Sequence, residues 1–531
     1  MATFDLIIRG GTIVDGTGNP WYRADAGISG GRIVALDCLD GGEAPAVLEA
    51  SGHIVAPGFI DVHTHSELRL LTDPLLEPKI RQGVTTEIVG LDGLSLAPLT
   101  DATRATLPAR LAGLAGTAAV AWDWGTVGEF LARLEAARPA PNVAYLAPHG
   151  TIRAAVAGFD ARPLRPDEVR AAQALLAAAL DDGAVGFSTG LIYPPCSFAD
   201  ADELAALCRV AARAGAPFVV HVRNESEHVL DAMDEVIEVA RASGAPLHVS
   251  HLKAAGRRNW DKLATVLERF DRARAAGIDV TFDQYPYAAG STFLSALLPP
   301  WAHDGGPPSL LARLRDPQAR RRIARELEQP GRWENFVYAC GWEAVQVAAV
   351  RTDANRWCEG RRLPEIAQAR GQAPAEALFD LLLEEDAAAT MILFWGEEDR
   401  ITDAMRHPLQ MVGSDGIFGG KPHPRLYGTF PRVLGPCVRG GTLRLEDAVR
   451  RMTSAAAARF GLTGRGILQH GAWADLVVFD PATVADRATY DDPHQYPAGI
   501  RHVLVNGVPV VRDGQVTGAR PGRVLRWRRH A

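Results

Sequence analysis

Lysine is scarce in this chain: only Lys79, Lys253, Lys262 and Lys421 occur among the 56 Lys and Arg residues. A mechanism that needs a lysine at a set place therefore has four candidates. Cysteine is equally sparse, and Cys38, Cys196, Cys208, Cys340, Cys358 and Cys437 are scattered without a CxxC pair. That scatter excludes a zinc ribbon and a disulfide framework, and mostly buried thiols are expected. No apolar run reaches the roughly 18 residues of a membrane span. The opening MATFDLIIRG lacks the basic start and apolar stretch of a secretory signal. A cytoplasmic protein without a membrane partner is expected. Positive charge is also in deficit, with a net charge of -7, so there is no general attraction to phosphate backbones and nucleic acid is not expected as a partner.

Material for a large core is present, with 47% hydrophobic and 22% charged residues over 531 positions. The beginning, FDLIIRGGTIVDGTG, and the later GISGGRIVAL read as short strands broken by glycine turns, as do GILQHGAWADLVVFDP and GIRHVLVNGVPVVRDGQV near the other end. Between them, short buried-strand runs alternate with Ala/Leu/Arg-rich helical stretches, the texture of βα units around a parallel barrel. Eight runs are expected as barrel strands: GFIDVHTH, TTEIVG, NVAYLAPHG, AVGFSTG, PFVVHVR, PLHVSHLK, DVTFDQYP and PLQMVGSDG. The fold class is thus α/β: a (β/α)8 TIM barrel over 58–455, with a small β-sandwich domain formed by both chain ends, 1–57 and 456–531. An insertion at 287–406 carries helices of its own and has room for strands. Segments of that length beside a barrel mouth often gate substrate.

His63 and His65 stand two apart at the end of the first run, so period-two geometry turns both imidazoles to one face, the barrel interior. His221 ends the fifth run, His251 the sixth and Asp415 the eighth. All five fall at the strand ends where barrel enzymes place their chemistry. Taken singly, each histidine could be a hydrogen-bonded core residue and the aspartate a helix cap. Together they form a donor set for zinc or a similar divalent ion, which points to metal-assisted hydrolysis. Asp415 is the candidate catalytic proton carrier, taking a proton from the attacking water and passing it to the departing group.

This arrangement resembles the amidohydrolase superfamily, in which HxH follows strand one, a histidine follows strands five and six, and an aspartate follows strand eight. A finer resemblance, to the N-acyl-D-amino-acid deacylases (D-aminoacylases), is carried by PGFIDVHTHSE, GVTTEIVG, FSTGLIYPP, HVRNESEHVLDAMDE, SHLKAAGRRNW, QYPYAAGST, HPRLYGTFPRVLG and ADLVVFDP. The resemblance implies a metal-dependent hydrolase that cleaves the linear amide of an N-acyl-D-amino acid, with one or two zinc ions. Lys253, Tyr285 and Arg425 would clamp the free carboxylate of the substrate, and Tyr193 would support the scissile carbonyl.

One departure concerns the cysteine of a Val-Val-Gly-Asn-Cys-Gly segment after strand two, which becomes Asp92 in Ile88-Val89-Gly90-Leu91-Asp92-Gly93. Asp92 is either a harder metal ligand that loosens zinc selectivity, so that other divalent ions could enter, or only the end of the strand. Other superfamily members bridge two metals with a carboxylated lysine after strand four. AVGFSTG has no lysine, which disfavours a hydantoinase or dihydroorotase site. Glu67, where many relatives have Asp, receives no role. Arg223 is expected to order the mouth through Glu225 or another acid, and His149 and Ser291 are expected near the pocket in structural roles. Tyr285 to Trp301 contains no Lys or Arg and includes Leu294, Leu297 and Leu298, which favours a neutral or hydrophobic substrate side chain. A small molecule is the expected partner; monomer and small homo-oligomer both stay open. Two rival readings remain at this stage, an amidohydrolase acting on another amide, cyclic amide or lactone, and an inactive barrel used as a binding scaffold.

Overall fold

A computed structural model describes residues 4–39, 41–115 and 120–527. Eight parallel strands form the barrel: β1 (Phe59–Asp61), β2 (Val84–Val89), β3 (Asn142–Pro148), β4 (Gly186–Gly190), β5 (Phe218–His221), β6 (Leu247–Val249), β7 (Val280–Gln284) and β8 (Gln410–Val412). They pair in chain order, and β8 joins β7. Every residue of these strands is buried, as expected where one face meets the barrel interior and the other its helices. Helices between the strands start on local signals. Thr126 accepts from Glu129 N at 3.1 Å and Glu129 accepts from Thr126 N at 3.0 Å, a reciprocal cap on Val127–Ala137.

The ring closes where β8 returns to β1. Thr64 and Gly416 form an isolated parallel bridge, and Asp415 N donates to His63 O at 2.7 Å. Beneath this seam Lys79 is fully buried and donates to Asp61 Oδ2 at 2.7 Å, Thr64 Oγ1 at 2.8 Å and Ser414 Oγ at 2.6 Å. Asp61 also accepts from Ser414 N at 2.8 Å. One buried cation therefore ties together the two segments that carry His63, His65 and Asp415. Breaking a buried pair leaves an uncompensated charge, so Lys79→Met is expected to cost about 3–5 kcal/mol. Urea unfolding checks this, and a loss under about 1 kcal/mol would show that the seam does not depend on the lysine.

Both chain ends meet in a single hydrogen-bonded sheet of nine strands. Ile54–Pro57 from the start pairs antiparallel with Leu476–Phe479 from the end, and Ile8, Ile28, Val55, Leu476 and Leu504 close a small core of their own. The last strand, Val524–Leu525, leaves that sheet and runs parallel to the start of β3 at Val143 and Ala144. The insertion builds a three-stranded antiparallel sheet with Thr390–Phe394 at its centre, flanked by Ala289–Phe293 and Val345–Ala349. Leu294, Leu297 and Leu298 pack into the core beneath the insertion's helices. Among the described residues, no helix is long and apolar enough to cross a membrane, and Cys196, Cys208 and Cys358 are buried.

Candidate metal centre

The barrel topology brings His63, His65, Asp92, His221, His251 and Asp415 together at the C-terminal ends of β1, β2, β5, β6 and β8. All six are buried. Asp92 occupies the middle: its carboxylate lies 3.7 Å from His63 Nε2, 3.7 Å from His65 Nε2, 3.9 Å from His221 Nδ1 and 3.9 Å from His251 Nε2. Asp415 Oδ1 lies 3.3 Å from His65 Nε2 and 3.6 Å from His63 Nε2. Such convergence needs sharp turns at the strand ends. Asp92, His251 and Asp415 sit at φ of 55°, 33° and 50°, a region that L-residues rarely adopt and that concentrates at functional sites. Gly190 lets the Asp92 turn approach β4, since a Cβ there would meet Asp92 O at 2.6 Å.

The donor chemistry fits a divalent metal. Both ring nitrogens of His63, His65 and His221, and Oδ1 of Asp92, are buried without a hydrogen-bond partner, a costly state for polar groups unless something else binds them. Three donor sets have ligand atoms within 4.8 Å of one another: His63, His65 and Asp415; His63, Asp92 and His251; and His221, Glu225 and His251. Burial pushes the His221 imidazole down to about 4, which keeps it neutral and free to ligate near pH 7. Burial alone would raise the Asp415 carboxyl, but Arg425 and His63 hold it well below the usual carboxylate range.

Further acids orient this cage. Asp283 on β7 has Oδ2 at 3.5 Å from His63 Nδ1 and accepts from His251 N at 2.9 Å through Oδ1. Glu67 Oε1 accepts from Gly90 N and Ser95 Oγ, both at 2.8 Å, and so braces the loop that presents Asp92. Glu225 turns inward towards His221, His251 and Lys253. The acid that Arg223 takes is Glu235, at 2.8 Å. His149 is buried between Thr189 and Glu203, at 2.8 Å and 3.0 Å, and stays structural. On the sequence alone Glu67 is assigned no role, Glu225 enters only as a partner for Arg223, and Asp283 is not singled out. The usable signal for Glu225 was an acid four positions after a strand-end histidine, and Asp283 is a charged residue inside an otherwise buried strand run.

A cavity opens onto the cage, lined by His65, Asp92, Tyr193, His221, Glu225, His251, Lys253, Tyr285 and Asp415. Its remaining wall is largely apolar, with Leu94, Leu114, Phe293, Phe336, Leu393, Trp395 and Ile417. The insertion supplies Phe293, Phe336, Leu393 and Trp395, whereas the expected Leu294, Leu297 and Leu298 point into the insertion's own core because that short segment turns as a 3-10 helix. Tyr193 Oη lies 2.7 Å from Thr292 Oγ1, and burial keeps its phenol protonated. Arg425 stands one layer behind the cavity wall: Nη1 is 2.9 Å from Asp415 Oδ2, Nη2 donates to Ser291 O at 2.9 Å, and its guanidinium lies 4.5 Å over the Tyr285 ring. Of the three residues expected to clamp a carboxylate, Lys253 and Tyr285 face the cavity and Arg425 faces Asp415.

Known proteins are similar to this chain over nearly its whole length. The N-acyl-D-glutamate deacylase of Alcaligenes xylosoxydans xylosoxydans is 40% identical over 98% of this chain and 96% of its own length. The D-aminoacylase of the same organism is 37% identical over 98% and 97%. The crystal structure of N-acyl-D-glutamate deacylase from Bordetella bronchiseptica, complexed with zinc and a phosphonate inhibitor that mimics the reaction's tetrahedral intermediate, superposes with a TM-score of 0.85 at 39% identity, covering 99% of this chain and all of that one. Residues 46–511 match the model of the Amidohydrolase family, and the chain belongs to that family.

Proposed function

We propose that this protein is a zinc-dependent deacylase of N-acyl-D-amino acids, with preference for neutral or hydrophobic side chains. The observation that carries the reading is one cavity in which five residues of the metal cage meet Lys253 and Tyr285, under a largely apolar wall with no other cation among the described lining residues. A substrate must then present an acid, a scissile carbonyl and an apolar group within reach of one another, as an N-acyl amino acid does. A cyclic amide or lactone without an acid would leave Lys253 paired with Glu225 alone and make no use of its cation. The D configuration follows from the relatives named above.

Zinc, when bound by His63, His65, Asp92, His221, His251 and Asp415, supplies Lewis acidity towards the carbonyl and a nucleophilic water at neutral pH. Lys253 and Tyr285 hold the free carboxylate of the substrate by charge-assisted hydrogen bonds. Tyr193, a phenol that burial keeps protonated, donates to the scissile carbonyl oxygen. Asp415 Oδ1 faces the cage while Oδ2 is held by Arg425. It accepts a proton from the water that adds to the carbonyl carbon and returns it to the amide nitrogen as the C–N bond breaks, giving a carboxylate and a free amino acid. The insertion's sheet contributes Phe293 and Leu393 to the cavity wall beside the cage.

Metal content of the purified protein, measured with release of free amino acid from N-acetyl-D-methionine, N-acetyl-L-methionine and N-acetyl-D-glutamate, tests this directly. Bound zinc and fastest turnover of the D-methionine derivative are expected. Faster turnover of the D-glutamate derivative would overturn the side-chain preference. Bound zinc without hydrolysis of any of the three would overturn the substrate class.

A further inference from the structure

We infer that Glu225 is a positioning residue that couples the metal cage to the substrate clamp, so that one carboxylate sets both metal affinity and substrate binding. The inference rests on the reading of Lys253 given above. Glu225 Oε1 lies 2.6 Å from Lys253 Nζ and 3.2 Å from His251 Nδ1, and Oε2 lies 3.7 Å from His221 Nε2. His251 turns its other nitrogen, Nε2, towards Asp92 at 3.9 Å. An imidazole that ligates a metal through Nε2 must carry its proton on Nδ1, and that N–H needs an acceptor that fixes the ring and raises its basicity. Glu225 stands in that place.

The same geometry contains a conflict that Glu225 resolves. Lys253 Nζ is only 2.8 Å from His251 Nδ1. An ammonium has no lone pair, so once Nδ1 is protonated two N–H groups face each other beside a dication. Glu225 Oε1 accepts from both and places a negative charge between them. Without that charge, Lys253 is repelled from the cage, losing its place in the cavity, and its cation opposes metal binding. The backbone of Glu225 is anchored independently of the side chain: its N–H donates to Glu334, Ser226 Oγ donates to Glu334 at 2.5 Å, and its carbonyl accepts from Ala255 N at 2.6 Å. A side-chain substitution therefore leaves the loop in place.

The test uses the zinc-loaded enzyme, with zinc Kd read by chelator competition and kinetics on N-acetyl-D-methionine at saturating zinc. Glu225→Gln is expected to raise zinc Kd about 10–100-fold and to raise KM as well. Lys253→Met is expected to raise KM without weakening zinc. In the double variant, removal of the stranded cation restores part of the zinc affinity lost in Glu225→Gln, a response that a merely structural role would not produce. A folded Glu225→Gln protein with wild-type zinc Kd or wild-type KM overturns the coupling, as does a double variant with no recovery. Should Glu225→Gln fail to fold, Glu225→Asp keeps the charge with a shorter reach and is expected to move both readouts together; movement of one alone overturns the inference. If the wild-type enzyme binds zinc but does not hydrolyse the substrate, the substrate reading has failed, and the zinc Kd values of the three variants still decide the electrostatic coupling.

Discussion

Asp415→Asn is expected to lower kcat by about 10²–10⁴-fold, the range that a positioned proton carrier supplies. The amide oxygen of asparagine keeps a donor atom towards the cage and removes the basicity, so the loss belongs in kcat more than in KM. The check is kcat at saturating zinc, with zinc content measured on the same preparation. A fully loaded variant that keeps more than a tenth of wild-type kcat would remove Asp415 from the proton pathway. Arg425 gives a second handle on the same group. It is the largest of the charges that hold the Asp415 carboxyl well below its usual range against the effect of burial. A base works only while deprotonated, so Arg425→Met is expected to move the acid limb of the kcat/KM profile to higher pH. An unmoved acid limb would mean that another group sets it.

Asp92→Ala is expected to weaken zinc binding by more than about 100-fold, beyond the 10–100-fold that loss of an outer partner costs. The reason is geometric and electrostatic. Asp92 is the one carboxylate within 3.9 Å of all four imidazoles, and its removal leaves them crowded around a cation with Asp415 as the remaining charge in the cage. Asp92→Cys, which introduces a softer ligand, is expected to restore tight zinc binding and to raise the preference for zinc over manganese relative to wild type. Metal competition followed by elemental analysis reads both. Wild-type zinc affinity in Asp92→Ala would mean that Asp92 only ends its strand and that His221 and His251 suffice.

Much of the barrel was legible because its signals are local. A run such as PFVVHVR declares a buried strand by composition, and a histidine at its end lies at the C-terminal face whatever the rest of the chain does. His63 and His65 share a face by period-two geometry alone. The insertion between β7 and β8 showed as a break in the alternation. The helices and the antiparallel strand Thr390–Phe394 within it could be placed only loosely, because their apolar residues are satisfied by one another and not by a repeating neighbour.

What the sequence by itself determined was the chemistry available: donor residues at the strand ends, four lysines with none at the end of β4, and Asp92 at the position where the family resemblance leads to an expectation of cysteine. What only the tertiary structure decided was which side chains act on which. Lys79 meets Ser414, Glu225 meets Lys253, Arg425 meets Asp415, and Phe336 and Leu393 wall a cavity that opens onto His65, Asp92 and His221, each more than a hundred positions away in the chain. Such pairings have no periodicity, since they arise when the ring of strands closes and the insertion folds back over its mouth. Leu294, Leu297 and Leu298 show the limit from the other side. They are apolar and next to a cavity-lining strand, yet they face the insertion's core, because one turn of helix rotates them away from the site.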